Sequence, residues 1–138
     1  MKWCEDNGIE IERTTITNPF IESYCKRNSI DTIVNYAAET HVDNSIADPD
    51  VFFRVNIIGT VNLLNIARKL KIHLHQISTD EVYGPSIPED NISAGSMLVP
   101  SSPYSSSKAS ADLIALSYFK TFGTKVTISR CTNNFGKY

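Results

Sequence analysis

The chain has 138 residues, 41% of them hydrophobic and 20% charged, with a net charge of -2. That is enough for one domain with a real core and too little for two comfortable ones. With no basic stripe, no apolar run long enough to span a bilayer and no signal-peptide pattern in "MKWCEDNGIE", nucleic acid and membrane are excluded as expected partners.

In chain order, "IEIERTTI" alternates after the turn pair Asn7-Gly8 and predicts a short strand at about 9–16. "TNPFIESYCKRN" predicts a short helix to about Asn28, with Asn18 as N-cap, Pro19 at the first helical position and Glu22 as capping partner. "DTIVNYAA" is rich in β-branched residues and shows no polar face until Asn35, which suits a strand covered on both sides. A helix over about 50–70 follows, capped by Asp48 and started by Pro49. Phe52, Val55, Gly59, Leu63, Ile66 and Leu70 are spaced for one of its faces. Ile57, Ile58, Val61 and Leu64 widen that surface toward a second neighbour.

"HLHQIST" is the next predicted strand, and residues 84–102 form a long loop rich in Pro, Ser and Gly. "PYSSSKASADLIALSYFKTFG" predicts a helix closed by Gly123, and "KVTISRC" a final strand. The order β-α-β-α-β-loop-α-β, with helix-length crossovers, predicts an α/β doubly wound parallel sheet with helices on both faces. His73 and His75 would share one strand face, near an edge or the surface, and no third ligand stands nearby for a metal. Cys4, Cys25 and Cys131 are odd in number and lack a C-x-x-C pair. They are expected as free thiols in a reducing cytoplasm.

In such sheets ligands bind beyond the carboxyl ends of the strands. Here those ends read "AAETHVD", "STDEVYG" and "RCTNNFG", each an apolar run giving way to a polar cluster. "YSSSK" places Tyr104 and Lys108 four apart on one helix face. A lysine ammonium near a tyrosine hydroxyl favours the phenolate, which can take a proton from an alcohol as hydride leaves the adjoining carbon. The pair alone also fits an exposed helix pair, as Asp80 and Glu81 alone fit solvated loop acids.

Read together, "YAAETHVDNS", "VNIIGTVNLLNIAR", "ISTDEVYG", "SSPYSSSKASAD" and "SRCTNNFG" resemble the extended short-chain dehydrogenase/reductase family. Within it they look most like the dTDP-glucose 4,6-dehydratases, over about Ile30 to Tyr138. The resemblance implies a Rossmann-like fold, NAD as cofactor and a nucleotide-sugar substrate. It also implies a homodimer in which the helices matching 50–70 and 103–122 pair; their wide apolar faces fit sheet packing equally well. The implied reaction oxidises the sugar at carbon four, eliminates water across carbons five and six, and returns the hydride to carbon six.

By the same resemblance, Tyr104 would be the base for the first oxidation and Lys108 would tune it and hold the cofactor. Thr79 would bond the carbon-four hydroxyl, Glu81 would take the carbon-five proton and Asp80 would protonate the departing hydroxyl. That division needs one carboxyl protonated and one ionised. Tyr36, Ala37, Ala38, Glu39, Thr40 and Ser78 match positions along the cofactor, with Asn134 on the same side. Thr40, His41 and Asn133 match substrate contacts.

The departures are as specific as the matches. The family opens with a strand, a G-x-x-G-x-x-G turn and a helix holding the pyrophosphate. The six glycines here, Gly8, Gly59, Gly84, Gly95, Gly123 and Gly136, form no such cluster. Thr15 stands where an acid touches adenine, Lys137 where proline is usual, and Ser106 where alanine is common. The chain also stops at "NNFGKY", before the family's carboxyl-terminal substrate part. The expectation is therefore a partial domain over 1–138, with weak NAD binding and no turnover by itself. A truncated, non-catalytic interaction module is the alternative, as is a UDP-sugar dehydratase or epimerase. The intact "TDE" and "YSSSK" favour the catalytic reading.

Overall fold

The computed structural model describes residues 4, 6–85 and 91–137. Helix α1 (Phe20–Arg27) leads to strand β1 (Thr32–Asn35), then α2 (Val42–Ala47) and α3 (Pro49–Phe52). A π-helical stretch, Phe53–Gly59, joins α3 to α4 (Thr60–Leu70). Strand β2 (His73–Thr79) runs into a 3₁₀ turn, Asp80–Tyr83, and α5 (Pro103–Phe122) leads to β3 (Val126–Cys131). The strands form one parallel sheet in the order β1-β2-β3. Asn35 lies beside Gln76, and Thr79 beside Cys131.

The register decides which side of each strand meets a helix. Leu74, Gln76 and Ser78 are buried on one side of β2, where α4 and α5 pack. Leu63, Leu64, Ile66 and Ala67 of α4, Ala115 of α5, Cys25 of α1 and Leu74 form the core cluster. His73 and His75 do share the other side, as their spacing predicts. Their rings bond the Thr127 hydroxyl at 2.9 and 2.6 Å. His75 also bonds Ser129 at 2.8 Å. They sit on the central strand of the three, not at an edge. The expectation of helices on both sides is met on one side among the described residues.

Several local expectations change for physical reasons. No strand forms at 9–16, where Ile9 and Ile11 are 46% and 45% exposed. Alternation marks a side that wants covering, but a strand exists only through a partner's hydrogen bonds, and the sheet order ends at β1 and β3. Strand β1 is not covered on both sides, since Val34 is 49% exposed and only Asn35 is buried. Helix α1 starts at Phe20, one residue late, where the Asn18 side chain accepts the Phe20 amide at 2.9 Å. Glu22 pairs with Lys69 at 2.5 Å instead of capping. Asp48 makes no side-chain cap, although Pro49 does open α3.

Helix α5 is bounded more firmly. Ser102 and Ser105 form a reciprocal capping box, Pro103 sits in the first turn, and Gly123 closes the helix at φ 65°. Gly59 is needed for packing, because a Cβ there would run into the Ile16 side chain. Cys4, Cys25 and Cys131 are free thiols. No helix among the described residues is long and apolar enough to cross a membrane. Residues 86–90 of the predicted loop lie outside the described residues.

Candidate active site

The carboxyl end of β2 meets the first turns of α5. Tyr104, Lys108 and Asp112 recur every four residues on α5, so one helix stripe presents all three. Each touches or reaches a successive part of the strand end. The Lys108 ammonium donates to the Ile77 carbonyl at 2.6 Å. Asp112 Oδ2 accepts from the Ser78 hydroxyl at 3.0 Å, and the Tyr104 hydroxyl lies within hydrogen-bonding reach of Thr79. All of these side chains are buried or nearly so, with Tyr104 7% and Lys108 5% exposed.

The polypeptide then turns. Thr79 Oγ1 accepts the Glu81 amide at 3.3 Å, capping the 3₁₀ turn, and donates to Asp80 at 3.3 Å. This leaves two adjacent carboxylates in different surroundings. Asp80 is half-buried against Thr79, while Glu81 is exposed. Gly84 ends the turn at φ 82°, where any Cβ would collide with the Val99 carbonyl. A cavity of about 750 Å³ opens beside the turn, walled by Asp80, Glu81, Tyr83, Leu116, Phe119 and Arg130 among others. Tyr104 and Lys108 are not among its walls.

Electrostatics here corrects the expected tuning of Tyr104. Burial pushes its pKa above the ordinary tyrosine value, and Thr79 pulls it part of the way back. Glu81, Asp80 and Cys131 add to the upward push. Lys108 is not among the groups that shift it; its ammonium donates to the Ile77 carbonyl. Burial instead lowers the pKa of Lys108 itself, opposed by Asp112 and Cys131.

The end of β1 is built differently. Asn35 donates to Gln76 Oε1 at 2.9 Å and accepts the Ala37 amide at 3.2 Å, locking the strand end to β2. Beyond it Tyr36, Ala37, Glu39, Thr40 and His41 are exposed, and Ala38 is half-buried. The backbone of this stretch is nevertheless held. Asn56, buried in the π-helical stretch, bonds both the amide and the carbonyl of Glu39 at 2.9 Å. It also donates to Ser107 of α5 at 2.8 Å. Ser45 of α2 accepts the Tyr104 amide at 3.2 Å. Asn133 and Asn134 follow β3 as exposed residues, and Asn134 bonds Cys131 Sγ at 3.6 Å.

The structure thus gathers Ser78, Thr79, Asp80, Glu81, Tyr104 and Lys108 at one strand end. Tyr36 to His41 border it as an open strip, while Asn133 and Asn134 follow the end of β3, beyond Cys131. Asn56, Ser107, Asp112 and Arg130 escape the motif reading. Asp112 had a signal, the same four-residue step that links Tyr104 to Lys108. Asn56 had none, since its role depends on the π-helical geometry around it. Among the described residues no cluster of His, Cys, Asp or Glu could hold a metal ion.

Comparison with known proteins agrees with this arrangement. A family model described as GDP-mannose 4,6 dehydratase matches residues 2–138. The chain belongs to that family. A dTDP-glucose 4,6-dehydratase of Streptomyces antibioticus is 49% identical over 137 residues, covering 97% of this chain and 40% of the relative. The structure of the Bacillus anthracis dTDP-glucose 4,6-dehydratase in complex with NAD superposes at a TM-score of 0.87 with 42% identity. That match covers 100% of this chain and 43% of the other. A Thermus thermophilus UDP-glucose 4-epimerase complex with NAD reaches a TM-score of 0.82 at 26% identity, over 89% of this chain and 40% of the other. The chain spans about two fifths of the length of such relatives.

Proposed function

We propose that this chain carries the catalytic portion of an NAD-dependent dTDP-glucose 4,6-dehydratase, residues 1–138 being part of a Rossmann-like cofactor-binding domain. The observation that carries this is the meeting of Thr79, Asp80 and Glu81 with Tyr104 and Lys108 at one strand end. Relatives 38–49% identical that bear that activity support it.

The residues present fit a cofactor along the β1–β2 edge. The Lys108 ammonium uses one of its three donors on the Ile77 carbonyl. The strip Tyr36 to Thr40 offers an accessible surface with its backbone held by Asn56. Ser78, Asn134, Tyr104 and Lys108 complete the proposed cofactor contacts. Bound NAD supplies a reversible hydride acceptor and a positive ring charge that opposes the effect of burial on Tyr104.

The chain's own groups then divide the proton work. Tyr104 takes the proton of the carbon-four hydroxyl, which Thr79 orients. Glu81, the exposed one of the two, removes the carbon-five proton made acidic by the neighbouring ketone. Asp80, shielded beside Thr79, gives a proton to the hydroxyl leaving carbon six. Thr40, His41 and Asn133 border the sugar nucleotide. Isolated, the 138 residues are expected to bind NAD weakly and to show no turnover, since they hold no glycine-rich turn. Exposed Ile58 and Leu113, at 56% and 57%, fit a homodimer through these helices, and three free thiols fit the cytoplasm.

The test is an assay of the complete reading frame with NAD and either dTDP-glucose or UDP-glucose. The proposal expects a 4-keto sugar lighter by one water from dTDP-glucose. An unchanged dTDP-glucose alongside converted UDP-glucose, or no conversion of either, overturns it.

A further inference from the structure

The carboxylates of the turn Asp80–Tyr83 project from a segment only four residues long. A 3₁₀ turn has poor internal hydrogen bonds and holds direction weakly. What fixes it lies on either side. Ser78, immediately before Thr79, donates its hydroxyl to Asp112 Oδ2 at 3.0 Å. The same oxygen accepts from Arg130 Nε of β3 at 2.7 Å. Arg130 reaches onward, donating from one terminal nitrogen to the Tyr83 hydroxyl at 2.8 Å and to the Ala94 carbonyl at 2.9 Å. Its guanidinium carbon lies 5.2 Å from the centre of the Tyr83 ring.

One ion pair therefore holds both ends of the segment that contains Thr79, Asp80 and Glu81. Its carboxylate grips Ser78, just before Thr79, and its guanidinium grips Tyr83, two residues beyond Glu81. The Asp112 side chain is fully buried, and the Arg130 side chain is 12% exposed. Only a planar fork can bond Asp112, Tyr83 and Ala94 together; a lysine is a point charge on a flexible stem.

We infer that Asp112 and Arg130 are positioning residues, a clamp that aims Asp80 and Glu81 without touching the substrate. The consequence for catalysis rests on the dehydratase reading; the clamp itself does not. Among the described residues Asp112 Oδ1 has no hydrogen-bond partner, so that grip is concentrated on Oδ2. The clamp also anchors Ala94, and with it the near part of the loop walling the cavity.

Amide hydrogen exchange on this chain tests the clamp with no substrate present. Ser78→Ala and Tyr83→Phe each remove one grip and leave the ion pair intact. Loss of one such bond is expected to speed exchange of the Glu81 and Gly84 amides about tenfold. The Leu74 amide, bonded to the Lys125 carbonyl across the sheet, keeps its rate. Arg130→Lys, which retains the charge and loses the fork, shows the same local acceleration. In the complete enzyme it also lowers kcat more than it changes KM. Unchanged Glu81 and Gly84 rates in both single-grip variants overturn the clamp. So does equal acceleration at Leu74, or wild-type exchange in Arg130→Lys. If the complete enzyme never converts dTDP-glucose, the dehydratase reading fails while the exchange result still decides the clamp.

Discussion

The ends of β1 and β2 lie side by side in one sheet, yet they are built by opposite rules. At the end of β2 the polar side chains that meet α5 are buried: Ser78 with Asp112, Lys108 with the Ile77 carbonyl, Tyr104 against Thr79. At the end of β1 the backbone is tied down by Asn35 and Asn56 while the side chains face outward, Tyr36 at 75% exposure. A group that must move protons needs a fixed direction and a low-dielectric setting, which burial provides. A strip that must accommodate a large ligand needs a firm backbone and open side chains. The contrast fits chemistry at β2 and binding along β1.

Substitutions sharpen that contrast in descending order of effect. Tyr104→Phe in the complete enzyme should lower turnover about a thousandfold, the scale of a lost acid–base group, whereas Tyr36→Phe at the open end should change KM more than kcat. Steady-state kinetics separates the two, and equal losses in kcat would remove the distinction. Asp112→Ala should cost about 3 kcal/mol in urea unfolding of this chain, because the buried Arg130 loses its partner. Val34→Ala on the exposed side of β1 should stay within about 0.5 kcal/mol in the same experiment. Ser102→Ala, which breaks the capping box at the helix carrying Tyr104, should cost about 1 kcal/mol. Glu22→Ala, half of a largely exposed pair with Lys69, should cost no more than about 0.5 kcal/mol.

Legibility follows the same divide between local and tertiary causes. Helix α5, with Gly123 at its end and Tyr104 and Lys108 on one stripe, could be read from spacing alone. So could β2 and the polar strand ends. The strand at 9–16 could not be judged that way, since the alternation of Ile9 and Ile11 says nothing about whether a neighbour offers hydrogen bonds. The surroundings of Tyr104 were hidden for a related reason. Four-residue spacing puts Lys108 on the right stripe but cannot tell that its ammonium turns to the Ile77 carbonyl. Arg130 was hidden because its partners, Asp112, Tyr83 and Ala94, lie on three other segments.

Burial at the end of β2 holds the Tyr104 phenol above the ordinary tyrosine value, and Thr79 opposes it locally. A pH titration of the Tyr104 phenol by NMR, in this chain, tests it most directly. With its folded pKa raised, the favourable contribution of Tyr104 to stability is fully present below the ordinary value of about 10 and is lost as pH rises through the folded pKa. The account predicts ionisation above the ordinary tyrosine value, moving further up in Thr79→Val and down in Glu81→Gln. Ionisation below that value, reversed by Lys108→Met, would show that the lysine governs Tyr104 and would contradict the account.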